Sequence, residues 1–396
     1  MSKQRNKPKF WEVKHNNPRL SQRRLNKIHL LTVENMVGFV VEIAHSGEMV
    51  QVQTHGSLIS DTPLFYTYID QISGIFLKNI FVGHVFQFLV LIHENLSADI
   101  YINDLPVKVL MMTKRALQKG EAVTSNDIAD IQKLSFENIN IKDTDKIIYC
   151  FKVGWKFGLF FDLHRKQPLN ITEMEAEIGA LYRYLSFQYV YDVLESKPQF
   201  ELLLKDGWFP FIEILASEFK ELSEAYKNLP DPQAKVQEII TRFDEKRLER
   251  IINKWWSKKI FSDKRTILES GIQSYLNNDS KGFIACIKIL LSEIEGIIRL
   301  HYFQETGKGK GVHIPDLINH IFDQGKTKTG SETSLFFPRD FLHYLKEAIF
   351  PQFDLETGNV TLSRHTSSHG VARAEDYNKT RAVQMVLILD QVYFYI

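Results

Sequence analysis

The apolar periodicity of this chain changes once, near residue 172, and that change confines it to folds in which a strand-rich part precedes a helical one. Before it, short apolar runs at 29–33, 37–43, 49–52, 86–92 and 100–102 have strand character. His93-Glu94-Asn95-Leu96-Ser97 reads as the turn of a hairpin, and residues 147–153 and 157–163 as a strand pair around Gly154-Trp155. Residues 106–117 (PVKVLMMTKRAL) have the composition of a helix that would stop at Gly120. Thr124-Ser125-Asn126-Asp127 is cap chemistry, and it predicts a second short helix from Ile128.

From residue 172 the pattern is helical. Thr172 with Glu175 forms a capping box, and Met174, Ile178, Leu181, Leu185, Val190 and Val193 continue an apolar stripe toward Leu194. Further helices are predicted at 211–228, 235–256, 263–276, 280–303, 315–322, 339–349 and 378–395. Pro230-Asp231-Pro232 is the strongest break between them. The segments 307–311 (GKGKG) and 325–330 (GKTKTG) read as exposed loops, and neither has the spacing of a phosphate-binding P-loop. The expected fold class is α+β. A basic, flexible arm at 1–28 precedes a mixed domain over 29–170, connecting helices over 171–232 and an all-α bundle over 233–396.

Composition narrows the class further. With 396 residues, 44% hydrophobic and 24% charged, the chain can bury a sizeable core and is not disordered as a whole. Its two cysteines, Cys150 and Cys286, cannot build a disulfide framework, and there is no CxxC to hold zinc. The longest apolar stretch, 75–92, contains Lys78, Asn79, His84 and Gln87, so it reads as buried segments rather than a membrane span. The first residues, MSKQRNKPKF, lack the apolar core of a secretory signal, so a cytoplasmic location is expected, with no membrane partner. Residues 1–28 hold nine cations and one acid, a net +8 in a chain of net +1. That arm reads either as a solvated terminus or as a phosphate-docking segment with Phe10 and Trp11 available for stacking.

GxSxG and HExxH are absent, so serine-hydrolase and zincin chemistry has no motif support. The informative segment is 362–370 (LSRHTSSHG), where Arg364 and His369 form an Arg-x4-His pair with His365 beside the arginine. Cleavage of RNA by its own 2′-hydroxyl needs a base for that proton, an acid for the leaving 5′-oxygen and charge relief at phosphorus. Histidine can fill either proton role near neutrality, and the arginine fork matches two phosphate oxygens. Spacing alone is weak, because Arg24 and His29 share it. Three plainer readings stay open. Arg364 can pair within a bundle, His369-Gly370 can close a helix, and His365 with His369 and His343 can hold a metal.

The segment RHTSSHG resembles the Arg-polar-x3-His motif of the HEPN superfamily, helical-bundle domains that often act as metal-independent ribonucleases. The resemblance covers roughly 236–396, including the helix pair 265–276 and 283–299, the acidic Ser292-Glu293-Ile294-Glu295-Gly296 and the final helix. His365 fits the position after the arginine, whereas the tyrosine that some members carry two residues past the second histidine is Val371 here. The resemblance implies catalytic roles for Arg364, His365 and His369. It further implies RNA-binding roles for Arg373, Lys379 and Arg381, and supporting roles for Glu295 and Tyr377. It also implies a homodimer, no cofactor, no metal and a prokaryotic defence or stress setting. The competing expectation is a non-catalytic RNA- or nucleotide-binding sensor built on the same bundle.

Overall fold

The structure, a computed structural model, describes residues 22–30, 33, 40–41, 46–47, 52–78, 82–163, 168–352, 356 and 362–396. The fold is α+β, and the chain divides into two compact units, Met1–Lys108 with Ser135–Leu181 and Val109–Leu134 with Tyr182–Ile396. That division differs from the sequence boundaries, because 109–134 belongs with the helices.

The strands are β1 (Arg23–Leu25), β2 (Val40–Val41), β3 (Val52–Gln53), β4 (His55–Ile59), β5 (Gln87–Ile92), β6 (Ala98–Ile102), β7 (Val107–Thr113), β8 (Ile128–Phe136), β9 (Lys146–Val153) and β10 (Lys156–Asp162). Six of them form one antiparallel sheet in the order β1-β6-β5-β9-β10-β4. The expected hairpin is present, with Phe88 opposite Ile102 and Ile92 opposite Ala98. His93 locks its turn, bonding Asp145 through Nδ1 at 2.8 Å and Asp99 through Nε2 at 3.2 Å. β9 and β10 pair as expected, with Lys156 opposite Val153, and Gly154 supplies the positive φ (59°) that the two-residue turn requires.

One face of the sheet packs Phe88, Val90, Ile100, Ile148, Leu159 and Phe161 against Phe65, Ile72 and Phe76 of helix α1 (Pro63–Phe76). Leu89, Leu91, Ile147 and Tyr149 on the alternate positions are buried too. Both faces are therefore covered, which is why the central strands read as continuous apolar runs. Three cations of the basic N-terminal segment are described. Arg23 donates to the carbonyl of Lys78 at 2.9 Å, Arg24 donates to Ser97 Oγ at 3.1 Å, and Lys27 takes a positive φ of 60°. Residues 1–21, with Phe10 and Trp11, lie outside the described residues.

Several local expectations are corrected. Residues 106–117 are not a helix: β7 pairs with β8 in a separate two-stranded sheet. Leu, Met, Lys, Arg and Ala favour helix only weakly, and a partner strand overrides that preference. The cap at Thr124 is real, since the Asp127 carboxylate accepts from its N–H at 2.9 Å and its hydroxyl at 2.7 Å. It closes a single 3-10 turn, however, and strand rather than helix follows at Ile128. Leu30 and Val33 are helical rather than extended, and of the expected strands at 37–43 and 49–52 only Val40–Val41 and Val52 are described.

The helices after α1 are α2 (Ile171–Ser186), α3 (Gln188–Glu195), α4 (Lys197–Lys205), α5 (Ser217–Asn228), α6 (Gln233–Thr241), α7 (Glu245–Trp255), α8 (Lys259–Ser262), α9 (Arg265–Leu276), α10 (Ser280–Thr306), α11 (Ile314–Thr329), α12 (Pro338–Tyr344), α13 (Arg364–Ser368) and α14 (Lys379–Tyr395). The helix expected over 172–194 is broken at Phe187 into α2 and α3. The single helix expected over 235–256 is two, because Asp244 caps α7 by accepting from Arg247 N–H at 2.9 Å. The expected loop at 325–330 is instead the last turn of α11, stopped by Gly330 at φ 69°.

α14 organises this unit. Its apolar residues Ala382, Val383, Val386, Leu387, Ile388, Leu389 and Val392 are all fully buried, as expected for a helix apolar on every side. The polar groups it carries inward are satisfied. Gln384 donates to Asp206 O at 2.9 Å, Gln391 accepts from Ile212 N–H at 2.9 Å, and Asp390 is bonded by Trp255 and Lys254.

Candidate functional site

Arg364, His365 and His369 sit on and just after α13, a short helix pinned at its start. Ser363 Oγ accepts from Thr366 N–H at 3.2 Å, and Thr366 Oγ1 accepts from Ser363 N–H at 2.8 Å; both residues are buried. His369 ends the helix with right-handed backbone (φ −85°, ψ −1°), and Gly370 turns the chain out at φ 73°. The motif is thus fixed at both ends.

Arg364 Nε lies 2.5 Å from Oε2 of Glu295 on α10, and the other oxygen of that carboxylate accepts from Arg299 at 2.8 Å. Glu295 is thus an ion-pair partner of Arg364, itself held by a second arginine. His365 is half-buried, and its Nε2 is buried without a hydrogen-bond partner. Burial, then the nearby Arg364 and His369 charges, lower its pKa from the usual 6.5, with Glu295 opposing. His369 is exposed. Five helical positions separate Arg364 from His369, which turns the two side chains ~140° apart about the helix axis.

The remaining expected residues spread around this turn. Tyr377 is buried and donates to Ser367 Oγ at 3.1 Å, so it braces α13, while Lys288 sits 5.4 Å over its ring. Arg373 is exposed beside Glu375, at 3.8 Å. Lys379 stands 5.9 Å from the Tyr275 ring. Arg381 donates to Gln384 at 3.0 Å and passes over Gly207, so it is packed into the fold. His343 lies 3.6 Å from Glu201 rather than with the other two histidines, and no group of three or more metal-ligating side chains forms among the described residues.

A second concave site, unread in the sequence, lies in the same unit: a cleft of about 500 Å³ with Lys114 at its wall. Glu213, buried, accepts from Arg247 Nε at 3.1 Å and from Arg250, while Arg247 grips Glu218 through both terminal nitrogens at 2.5 and 2.7 Å. Burial works against the Glu213 carboxylate, but Arg247, Lys254, Arg250 and Lys114 together hold it below the usual carboxylate range. Arg115 pairs with Asp127 at 2.7 Å. These residues come from the two positions after β7, two 3-10 turns, α5 and α7, so no motif unites them. The one available signal is Glu213 itself, a lone acid inside the apolar run FPFIEILA, which demands a cation. No family model, curated protein or solved structure matches this chain.

Proposed function

We propose that this chain is a metal-independent endoribonuclease of HEPN type that cleaves RNA through the 2′-hydroxyl, with Arg364, His365 and His369 as its catalytic groups. The observation that carries the reading is the joint placement of a guanidinium fixed on Glu295, an imidazole with an unpartnered Nε2 and an exposed imidazole on one anchored turn. His365, kept neutral by its surroundings, takes the proton from the 2′-hydroxyl as that oxygen attacks phosphorus. The bond from phosphorus to the 5′-oxygen breaks, and His369 in its protonated form returns a proton to the leaving oxygen. Arg364 neutralises the charge that builds on the phosphate oxygens. The products are a 2′,3′-cyclic phosphate and a 5′-hydroxyl.

The ~140° divergence of Arg364 and His369 around α13 favours a composite site, in which a two-fold related copy supplies one of the two. The test is cleavage of a labelled single-stranded RNA by the full chain in excess chelator. Wild-type protein is expected to give cyclic-phosphate ends, and Arg364→Ala or His369→Ala to lose roughly a hundredfold or more. A mixture of the two variants regains part of the activity through mixed dimers. Cleavage unchanged in both variants overturns the assignment. A second reading, RNA binding without cleavage, is favoured by Glu295 already neutralising Arg364, and it is recognised by retention of RNA at low salt with no product.

A further inference from the structure

We propose that the cleft walled by Lys114 in the helical unit binds a small phosphorylated ligand, independently of the Arg364–His369 turn. Lys114 is only 4% exposed, and its ammonium has three donors to satisfy, against one contact at 3.3 Å to the carbonyl of Glu213. Folding a cation into such a place is costly unless an anion completes its shell. The nearby carboxylates do not supply one freely. Glu218 is held by Arg247, Glu213 by Arg247 and Arg250, and Asp127 by Arg115 and Thr124.

The lining carries five cations against four acids, so an anion is the ligand that balances it. Among the lining residues none is aromatic, which leaves no platform for stacking a base. A volume of about 500 Å³ falls in the range of small-molecule sites. The ligand is therefore compact, polar and negatively charged. Phosphate fits better than carboxylate on the donors that remain. The guanidinium fork, which matches a planar carboxylate, is already filled by Glu218 at Arg247, whereas Lys114 presents an ammonium point charge. Exposed Lys246 and half-exposed Arg250 stand at the rim and reach the rest of the anion.

Proton linkage gives a second signature. Burial brings the Lys114 pKa down to about 8, and the charged groups facing it are Glu213, Glu218, Lys254 and Arg247. A bound anion holds the proton on the amine, so binding at pH 8 takes up protons and weakens as pH rises further.

The experiment is titration calorimetry of the full chain at low salt, with inorganic pyrophosphate and inorganic phosphate as probes and citrate as the carboxylate control. Pyrophosphate is expected to bind, with affinity reduced roughly tenfold or more in Lys114→Met and several-fold in Lys246→Ala. Heats in two buffers of different ionisation enthalpy reveal the proton uptake at pH 8, which disappears in Lys114→Met. Should Lys114→Met lose its folded circular dichroism, Lys246→Glu at the exposed rim decides in its place. No heat with either phosphate probe, equal affinity for citrate, or pyrophosphate affinity unchanged by the rim variants overturns the proposal.

Discussion

Trp255 donates its indole N–H to Oδ1 of Asp390 at 2.8 Å, and Lys254 reaches the other oxygen of that carboxylate at 2.9 Å. An acid at the centre of α14, 1% exposed, is thereby bonded to two consecutive residues of α7. Burial pushes the Asp390 carboxyl above the usual carboxylate range, against the pull of Lys254. A carboxyl raised in the folded state contributes stability that is full below its unfolded pKa and is lost as pH rises through the folded one.

Asp390→Ala removes the partner of a buried indole and of a nearly buried ammonium, and it lowers stability by about 3–5 kcal/mol. The double variant Lys254→Met with Asp390→Asn keeps an acceptor for the indole, leaves no unpaired charge and loses less. Urea unfolding midpoints read the difference.

Gly325→Ala is destabilising, although alanine ordinarily gains about 1 kcal/mol over glycine inside a helix. A Cβ at this position of α11 would stand 2.4 Å from Cε1 of Tyr395, whose ring is buried and whose hydroxyl donates to Phe336 O at 2.5 Å. The expected net loss is about 2 kcal/mol, and thermal unfolding measures it.

At Gly207 two demands coincide. Its φ is 75°, and a Cβ would lie 1.8 Å from Nη1 of Arg381 and 2.7 Å from Oε1 of Gln384. The arginine can swing aside, but Gln384 is tied to Asp206 O. Gly207→Ala is expected to cost about 1–3 kcal/mol, chiefly from the left-handed backbone. Arg381→Ala in the same background removes the arginine's share of the clash and leaves that of Gln384 and the backbone strain, so the double variant recovers only part of the loss.

His365 titrates below 6.5 in the folded protein, and it falls further in Glu295→Gln, which removes the one neighbour that raises it. The folded state resists protonation, so stability declines as pH falls below the unfolded value of 6.5, and His365→Gln flattens that acid limb. Histidine-labelled NMR over pH 4–8 follows the midpoint. A midpoint that stays put in Glu295→Gln contradicts the electrostatic account.

The hairpins were legible because continuous apolar runs flank a short polar turn, and α14 because Asn378 caps a long apolar segment. β7 was not. Its Lys, Leu and two Met residues are helix formers, its exposure does not alternate, and β8, beyond an intervening loop, makes it a strand. α1 went unread because Tyr, Phe, Thr and Ile dilute the helical signal in PLFYTYIDQISGIF. At the candidate site, Arg364, His365 and His369 were visible as neighbours in one segment, while Glu295 entered only through family resemblance. The Lys114 cleft left almost no trace in the sequence, since its charges look like solvated helix faces until α5 and α7 come together.

The placement of α14 has a consequence for synthesis. The sheet unit is complete in sequence by Leu181, whereas the segment that fills the middle of the helical unit, Lys379–Tyr395, leaves the ribosome after every other element described in it. The nascent helices that will surround it carry bare apolar faces while some two hundred codons are translated, so this half closes only late and is open to chaperones and to mispairing until then.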